Sequence, residues 1–143
     1  MVPHTRYVGG YATASLHGQT LTGGKDIFVI KFSADGTRLW TRLFGSTGDD
    51  VVASMALDVF GNVLLAGSVS ASTAISFYGT TLSGTSDGFV LRCGPDGTRD
   101  WSNLLGSAFV DRAESVAADA AGNAVVAGIT DGQVTSPHVF HQV

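Results

Sequence analysis

The chain carries the same pattern twice. Residues 26–67 align with residues 87–128 at a constant offset of 61 and without a gap, and 19 of the 42 paired positions are identical. Self-similarity of this kind constrains architecture more than any single motif. A tandem unit is a supersecondary module that buries its apolar face against its neighbours. The shared frame reads D-x-F-V, D-G-T-R-x-W, L-x-G-S, D-x-x-x-S-x-A-x-D-x-x-G-N and A-G. Upstream, Gly18-Gln19-Thr20-Leu21 matches Gly79-Thr80-Thr81-Leu82, and Tyr7-Val8-Gly9-Gly10 resembles Leu64-Leu65-Ala66-Gly67. Residues 1–143 therefore read as one unit, with repeats at about 26–86 and 87–143, the second truncated, and a partial repeat over 6–25.

Each copy divides into four short segments separated by turn residues, the pattern of consecutive antiparallel strands. Ile27 to Phe32 alternates, with Phe28, Ile30 and Phe32 on one face; Phe89, Leu91 and Cys93 hold those places in the second copy. Ser33-Ala34-Asp35-Gly36 and Gly94-Pro95-Asp96-Gly97 supply the next turn, glycine accepting positive φ and proline presetting its own. Thr37 to Phe44 (or Thr98 to Leu105) is the second strand, and Val52 to Leu57 (or Ala113 to Ala118) is a third, built of mostly small residues. The fourth, Val63 to Gly67 or Ala124 to Gly128, is apolar at every position. A strand apolar on both faces has to be covered on both faces.

These requirements predict an all-β chain, a β-propeller segment of four-stranded antiparallel blades that is incomplete at about two and a quarter repeats. The small-residue strand belongs near the central axis and the strand with Arg38, Trp40 and Arg42 at the outer edge. In that order one blade is whole, from about Val52 to Leu105. Residues 6 to 44 provide three strands of the blade before it, and residues 113 to 130 two strands of the blade after it.

Composition limits the partners. Lys and Arg number only eight and are scattered, and the net charge is −4, so no basic stripe exists to track a phosphate backbone and no nucleic acid is expected. No apolar run approaches the roughly 20 residues that span a bilayer, so no membrane span is expected, and Met1 to Gly10 has no signal-peptide pattern. The single cysteine, Cys93, rules out an internal disulfide.

The frame resembles the bacterial β-propeller repeat known as SBBP, which carries D-x-F-V-x-K-F, D-G-x-x-x-W, L-G-x-x-x-D-D, A-x-D-x-x-G-N and V-x-G. Asp26-Ile27-Phe28-Val29-Ile30-Lys31-Phe32 and Asp58 to Asn62 match it closely, and the likeness covers roughly residues 7–130. It departs at Cys93, where Phe is expected, and at Phe109-Val110, which replace Gly48-Asp49. The resemblance implies a propeller in a large exported or cell-surface bacterial protein, with no shared catalytic residues and no cofactor.

The candidate sites are few. Asp49, Asp50 and Asp111 fall in segments read as loops and offer oxygen ligands of the kind Ca²⁺ takes, but a carboxylate before a strand more often accepts hydrogen bonds from turn amides. Asp58 and Asp119 read as turn caps. His138 and His141 lack the further ligands of a zinc site, and Cys93 reads as a small buried hydrophobe. Trp40 and Trp101 either form a carbohydrate platform or pack between blades; their shared repeat position favours packing. Ser54, Ser115, His4 and His17 have no spacing of a nucleophile and its base. Gly9-Gly10 and Thr22-Gly23-Gly24-Lys25 lack the context of a phosphate cradle.

The functional expectation is a non-enzymatic scaffold presenting blade loops to a protein or glycan partner. The alternative is part of a propeller enzyme, a lyase or hydrolase, with catalytic residues partly outside this chain. The scaffold is favoured because the carboxylates recur at the repeat period, as structural residues do. The unfinished first and last sheets require either further blades of a longer parent chain or head-to-tail self-association.

Overall fold

A computed structural model of the chain describes residues 5–132. Every regular element among them is a strand, and the sheets repeat as the sequence does. β1 (Arg6–Ala12), β2 (Asp26–Phe32) and β3 (Arg38–Phe44) form a three-stranded sheet in that order. β4 (Asp49–Leu57), β5 (Val63–Ser70), β8 (Ser86–Cys93) and β9 (Arg99–Leu105) form a four-stranded antiparallel sheet. β10 (Asp111–Ala118) pairs with β11 (Ala124–Thr130), and between β5 and β8 a small hairpin joins β6 (Ser76–Phe77) to β7 (Thr80–Thr81). The whole blade thus runs from Asp49 to Leu105, with three strands before it and two after it, as expected.

Register follows the repeat as well. Gly10 lies opposite Phe28 in the first sheet and Gly67 opposite Phe89 in the second. The inner strands β4 and β10 each carry an irregularity at the same repeat position, between Val52 and Ser54 and between Ala113 and Ser115. Extra residues there bend the strand and increase its twist, which suits the crowded inner end of a blade. Ser54, beside the first irregularity, accepts the Val116 N–H at 3.1 Å and so ties one inner strand to the next.

β5 is buried on both faces, with Val63, Leu64, Leu65 and Ala66 all fully enclosed. Val63, Leu65, Phe89, Leu91 and Cys93 pack with Ile27, Val29 and Phe44 of the first sheet. Leu64, Ala66 and Val90 face the other way, onto Ala113, Val116 and Val126. Burying side chains of this size contributes about 1.5–3 kcal/mol each, so the two joints between sheets carry much of the stability. β11, its copy, does not share that enclosure: Val125 is 59% and Ile129 54% exposed, because no sheet lies beyond it among the described residues. Val8 on β1 is exposed at the other end of the stack for the same reason.

β4 and β10 begin earlier, and β5 and β11 end later, than the apolar pattern indicates. β4 starts at Asp49 and β10 at Asp111, so Asp49, Asp50 and Asp111 are strand residues and not loop residues. Asp49 and Asp50 pair with Ser70 and Val69 of β5, and Asp111 pairs with Thr130 of β11. Lys25 bridges to Asp49 in parallel across the joint, and Ser86 to Val110 likewise, extending each inner strand toward the preceding sheet.

Candidate functional site

The two ends of the stack are unequal. At one end the strands are joined by tight turns after Phe32, Leu57, Cys93 and Ala118. Asp58 caps such a turn, its Oδ1 accepting the Phe60 and Asn62 N–H groups and its Oδ2 the Asn62 amide, and Asp119 repeats this with Ala121 and Asn123. At the other end lie the long loops that join β1 to β2 and β5 to β8, together with the connections from β3 to β4 and β9 to β10. Variable loops held by a rigid frame are where binding residues concentrate.

The long-loop end is held by buried carboxylates. Asp26 accepts the Thr22 and Gly23 N–H groups, and Asp87 accepts those of Ser83 and Gly84. Asp50 accepts the Ser46 N–H at 2.7 Å and the Ser46 hydroxyl, and Asp111 accepts the same pair of groups from Ser107. Asp26 and Asp50 come from neighbouring sheets and meet at Gly45. A Cβ there would lie 2.7 Å from Asp26 Oδ1 and 3.0 Å from Asp50 Oδ2, so only glycine fits between the carboxylates. Burial pushes the Asp50 carboxyl up to about 6, the charges of Asp26 and Asp49 add to the rise, and the Ser46 hydrogen bonds oppose it. The chain thus places Asp50 and Asp111 as acceptors for loop amides. Among the described residues no group of three or more His, Cys, Asp or Glu side chains is arranged to hold a metal ion.

Asp49 differs from its neighbour. Its carboxylate pairs with the Lys25 ammonium at 2.7 Å, and both are partly open to solvent. The bond and the charge of Asp49 raise the Lys25 pKa. Asp49 also lines an open cleft of about 650 Å³ with Gly24, Thr47, Ser72, Thr73, Ile75 and other loop residues. The second copy has Ser86 and Val110 in place of Lys25 and Asp49 and cannot form this ion pair.

The β6–β7 hairpin has two residues a side, too few for a strand periodicity in the sequence. Its signal is the glycine-centred match between residues 18–21 and 79–82. Tyr78 (φ 47°) and Gly79 (φ 91°) form its turn, and His17 (φ 49°) with Gly18 (φ 81°) repeat it between Leu16 and Gln19. Paired left-handed residues are the requirement of a type I′ turn. Tyr78 reaches across the joint to accept the Gly45 N–H at 3.2 Å, and the Arg99 guanidinium lies 4.2 Å from its ring centre. His17 instead contacts the Thr41 hydroxyl at 3.0 Å.

The remaining candidates separate. Trp40 packs between sheets, its indole N–H donating to the Pro95 carbonyl at 3.1 Å, and Trp101 packs against the Leu64 and Val90 cluster. Cys93 is fully buried, and burial pushes its thiol up to about 12. His4, His138 and His141 lie outside the described residues.

Stacked antiparallel sheets, one of them a complete four-stranded blade, with long loops gathered at one end define a β-propeller-type fold. The comparison with known proteins agrees. Over 128 aligned residues the chain is 27% identical to an uncharacterized WD repeat-containing protein, L264, of Acanthamoeba polyphaga mimivirus. The alignment takes in 80% of this chain and 9% of that protein's length. No known protein-family profile matches the chain.

Proposed function

We propose that the chain is part of a non-enzymatic β-propeller scaffold that offers its long-loop end to a protein partner. The supporting observation is the division of labour there. Asp26, Asp50, Asp87 and Asp111 recur and are buried, whereas positions around them differ between copies: exposed His17 against Tyr78, partly exposed Gly48 against exposed Phe109, and the half-exposed Lys25 and Asp49 against buried Ser86 and half-exposed Val110. A repeated frame with unrepeated surface is what selective recognition uses. The WD-repeat likeness supports the same reading. The enzyme alternative needs carboxylates open to substrate, and the four recurring ones are enclosed. The SBBP-like frame supports an exported, bacterial setting, and the apolar faces at Val8 and Val125 fit cover by further blades or by a second copy.

The test compares proteins retained by the immobilised full chain, by Thr73→Trp at the cleft and by Phe60→Asp at the tight-turn end. A retained protein lost with Thr73→Trp and kept with Phe60→Asp is expected. Identical retention by all three overturns the assignment of the interacting end.

A further inference from the structure

The two joints between sheets differ at one place on the long-loop end. At the offset of 61, Phe109 stands where the first copy has Gly48, and Gly132 stands where it has Ala71. The two exchanges match each other. A Cβ on Gly132 would lie 2.6 Å from Phe109 Cδ2, so at the second joint an aromatic ring covers this glycine. At the first joint a Cβ on Gly48 would lie 3.3 Å from the Ala71 Cβ, so the corresponding backbones approach with no ring between them.

The cleft of about 650 Å³ opens at that place. It lies within the stack, between Gly24 ahead of β2 and the connections that follow β3 and β5. Gly48, Ala71 and Ile75 are half-buried and make its apolar floor, which Ile75 joins to the core around Phe44 and Phe77. The exposed Thr47, Ser72 and Thr73 add hydroxyl groups around that floor. Asp49 also lines the cleft, but its carboxylate is already paired with Lys25, so an occupant needs no charge of its own.

We propose that this cleft takes an aromatic side chain from a segment of a partner protein, in the place that Phe109 takes at the second joint. The inference rests on reading the long-loop end as the protein-binding end, and it names what that end selects. The chain fills one joint with its own ring and leaves the other for a ring from outside. A cleft of this volume holds an aromatic side chain together with the peptide groups on either side of it. The ring gains burial on the apolar floor, and the threonine and serine hydroxyls offer partners to the flanking peptide groups.

The full chain, isotope-labelled, is titrated with a capped peptide of sequence 106–111 and followed by amide resonances. Saturable movement at Gly48, Ala71 and Ser72 is expected at millimolar peptide, with Phe109 and Gly132 of the chain unmoved. A Phe109→Ala version of the peptide should bind at least about tenfold more weakly, since burial of an aromatic ring is worth that much. Gly48→Phe combined with Ala71→Gly in the chain copies the second joint and should abolish the response. Thr73→Trp obstructs the cleft without touching its floor and should abolish it too, so the outcome does not hang on the folding of the double variant. No saturable movement, movement centred on Phe109 and Gly132, equal binding of the two peptides, or undiminished binding by Thr73→Trp each overturns the site. A retained protein that is lost with Thr73→Trp while the two peptides bind equally leaves the scaffold reading standing and removes the aromatic selection alone.

Discussion

Asn in place of Asp50 tests the carboxylate joint quantitatively. Asp50 is fully buried, and its carboxyl is pushed from an ordinary 3.8 up to about 6. The folded chain therefore holds this proton at pH values where the unfolded chain has released it. Stability from Asp50 rises as pH falls through about 6, is complete near pH 4, and is absent above pH 7. The full interval corresponds to about 3 kcal/mol as an order of magnitude. For a chain of this size that is a gain of roughly 5–15 °C in Tm between pH 7.5 and pH 4.5. Below about pH 4 the sign reverses, because hydrogen bonds within the tight turns hold Asp35, Asp96 and Asp119 below the usual carboxylate range. Their contribution is lost as they protonate. Asp50→Asn keeps an acceptor for the Ser46 N–H and removes the charge, so its Tm should match or exceed that of the native chain at pH 7.5 and lack the rise toward pH 4.5. Thermal melts by circular dichroism at half-unit pH intervals decide it. A native Tm that is flat or falls from pH 7.5 to 5, or an equal rise in the variant, would refute the carboxylate pairing at Gly45.

Gly67→Ala places a Cβ 2.0 Å from the Val51 carbonyl oxygen and should destabilise the chain by about 2–4 kcal/mol in urea melts, whereas Gly36→Ala, with open space around it, should cost only its left-handed backbone strain, about 1 kcal/mol. Phe89→Ala removes a fully buried ring and should cost about 3–5 kcal/mol; a loss under 1 would argue against the shared core with Phe44. Cys93, enclosed and with its thiol pushed up to about 12, should resist thiol reagents in the folded chain and react fully once unfolded; rapid labelling of folded protein contradicts its placement. The exposed Val8 and Val125 faces predict concentration-dependent association on a size-exclusion column with light scattering, and a cooperatively melting monomer at micromolar concentration would show that those faces need no cover.

Much of the blade was legible because its signals are local. The alternation at Phe28, Ile30 and Phe32, the Asp58-to-Asn62 turn and the all-apolar Val63 to Gly67 each specify an element within a few residues. The 61-residue offset then supplied the order of strands. What escaped depends on distant partners. Asp49 and Asp111 join strands by pairing with Ser70 and Thr130 at the far ends of β5 and β11, and Lys25 and Ser86 bridge to Asp49 and Val110 of the following sheet, 24 residues along the chain in each case. Asp26 and Asp50 meet across the same joint, and nothing in either local sequence announces it. The apolar copy at Ala124 to Gly128 gave an expectation of burial on both faces that holds for β5, where sheets lie on either side, and not for β11.

The blade and the sequence repeat are out of phase. The repeat boundary falls between Ser86 and Asp87, inside β8 and therefore in the middle of the four-stranded sheet, whereas the sheets change over at Gly45–Gly48 and Gly106–Val110. Each repeat is consequently shared between two blades, like bricks laid in running bond. A protease or an expression boundary at residue 86 severs a sheet through its core, while one between Leu105 and Asp111 leaves the complete sheet standing. Genetic duplication of the 61-residue unit, wherever it starts, adds one whole blade's worth of strands and keeps the order in which the sheets are shared between repeats.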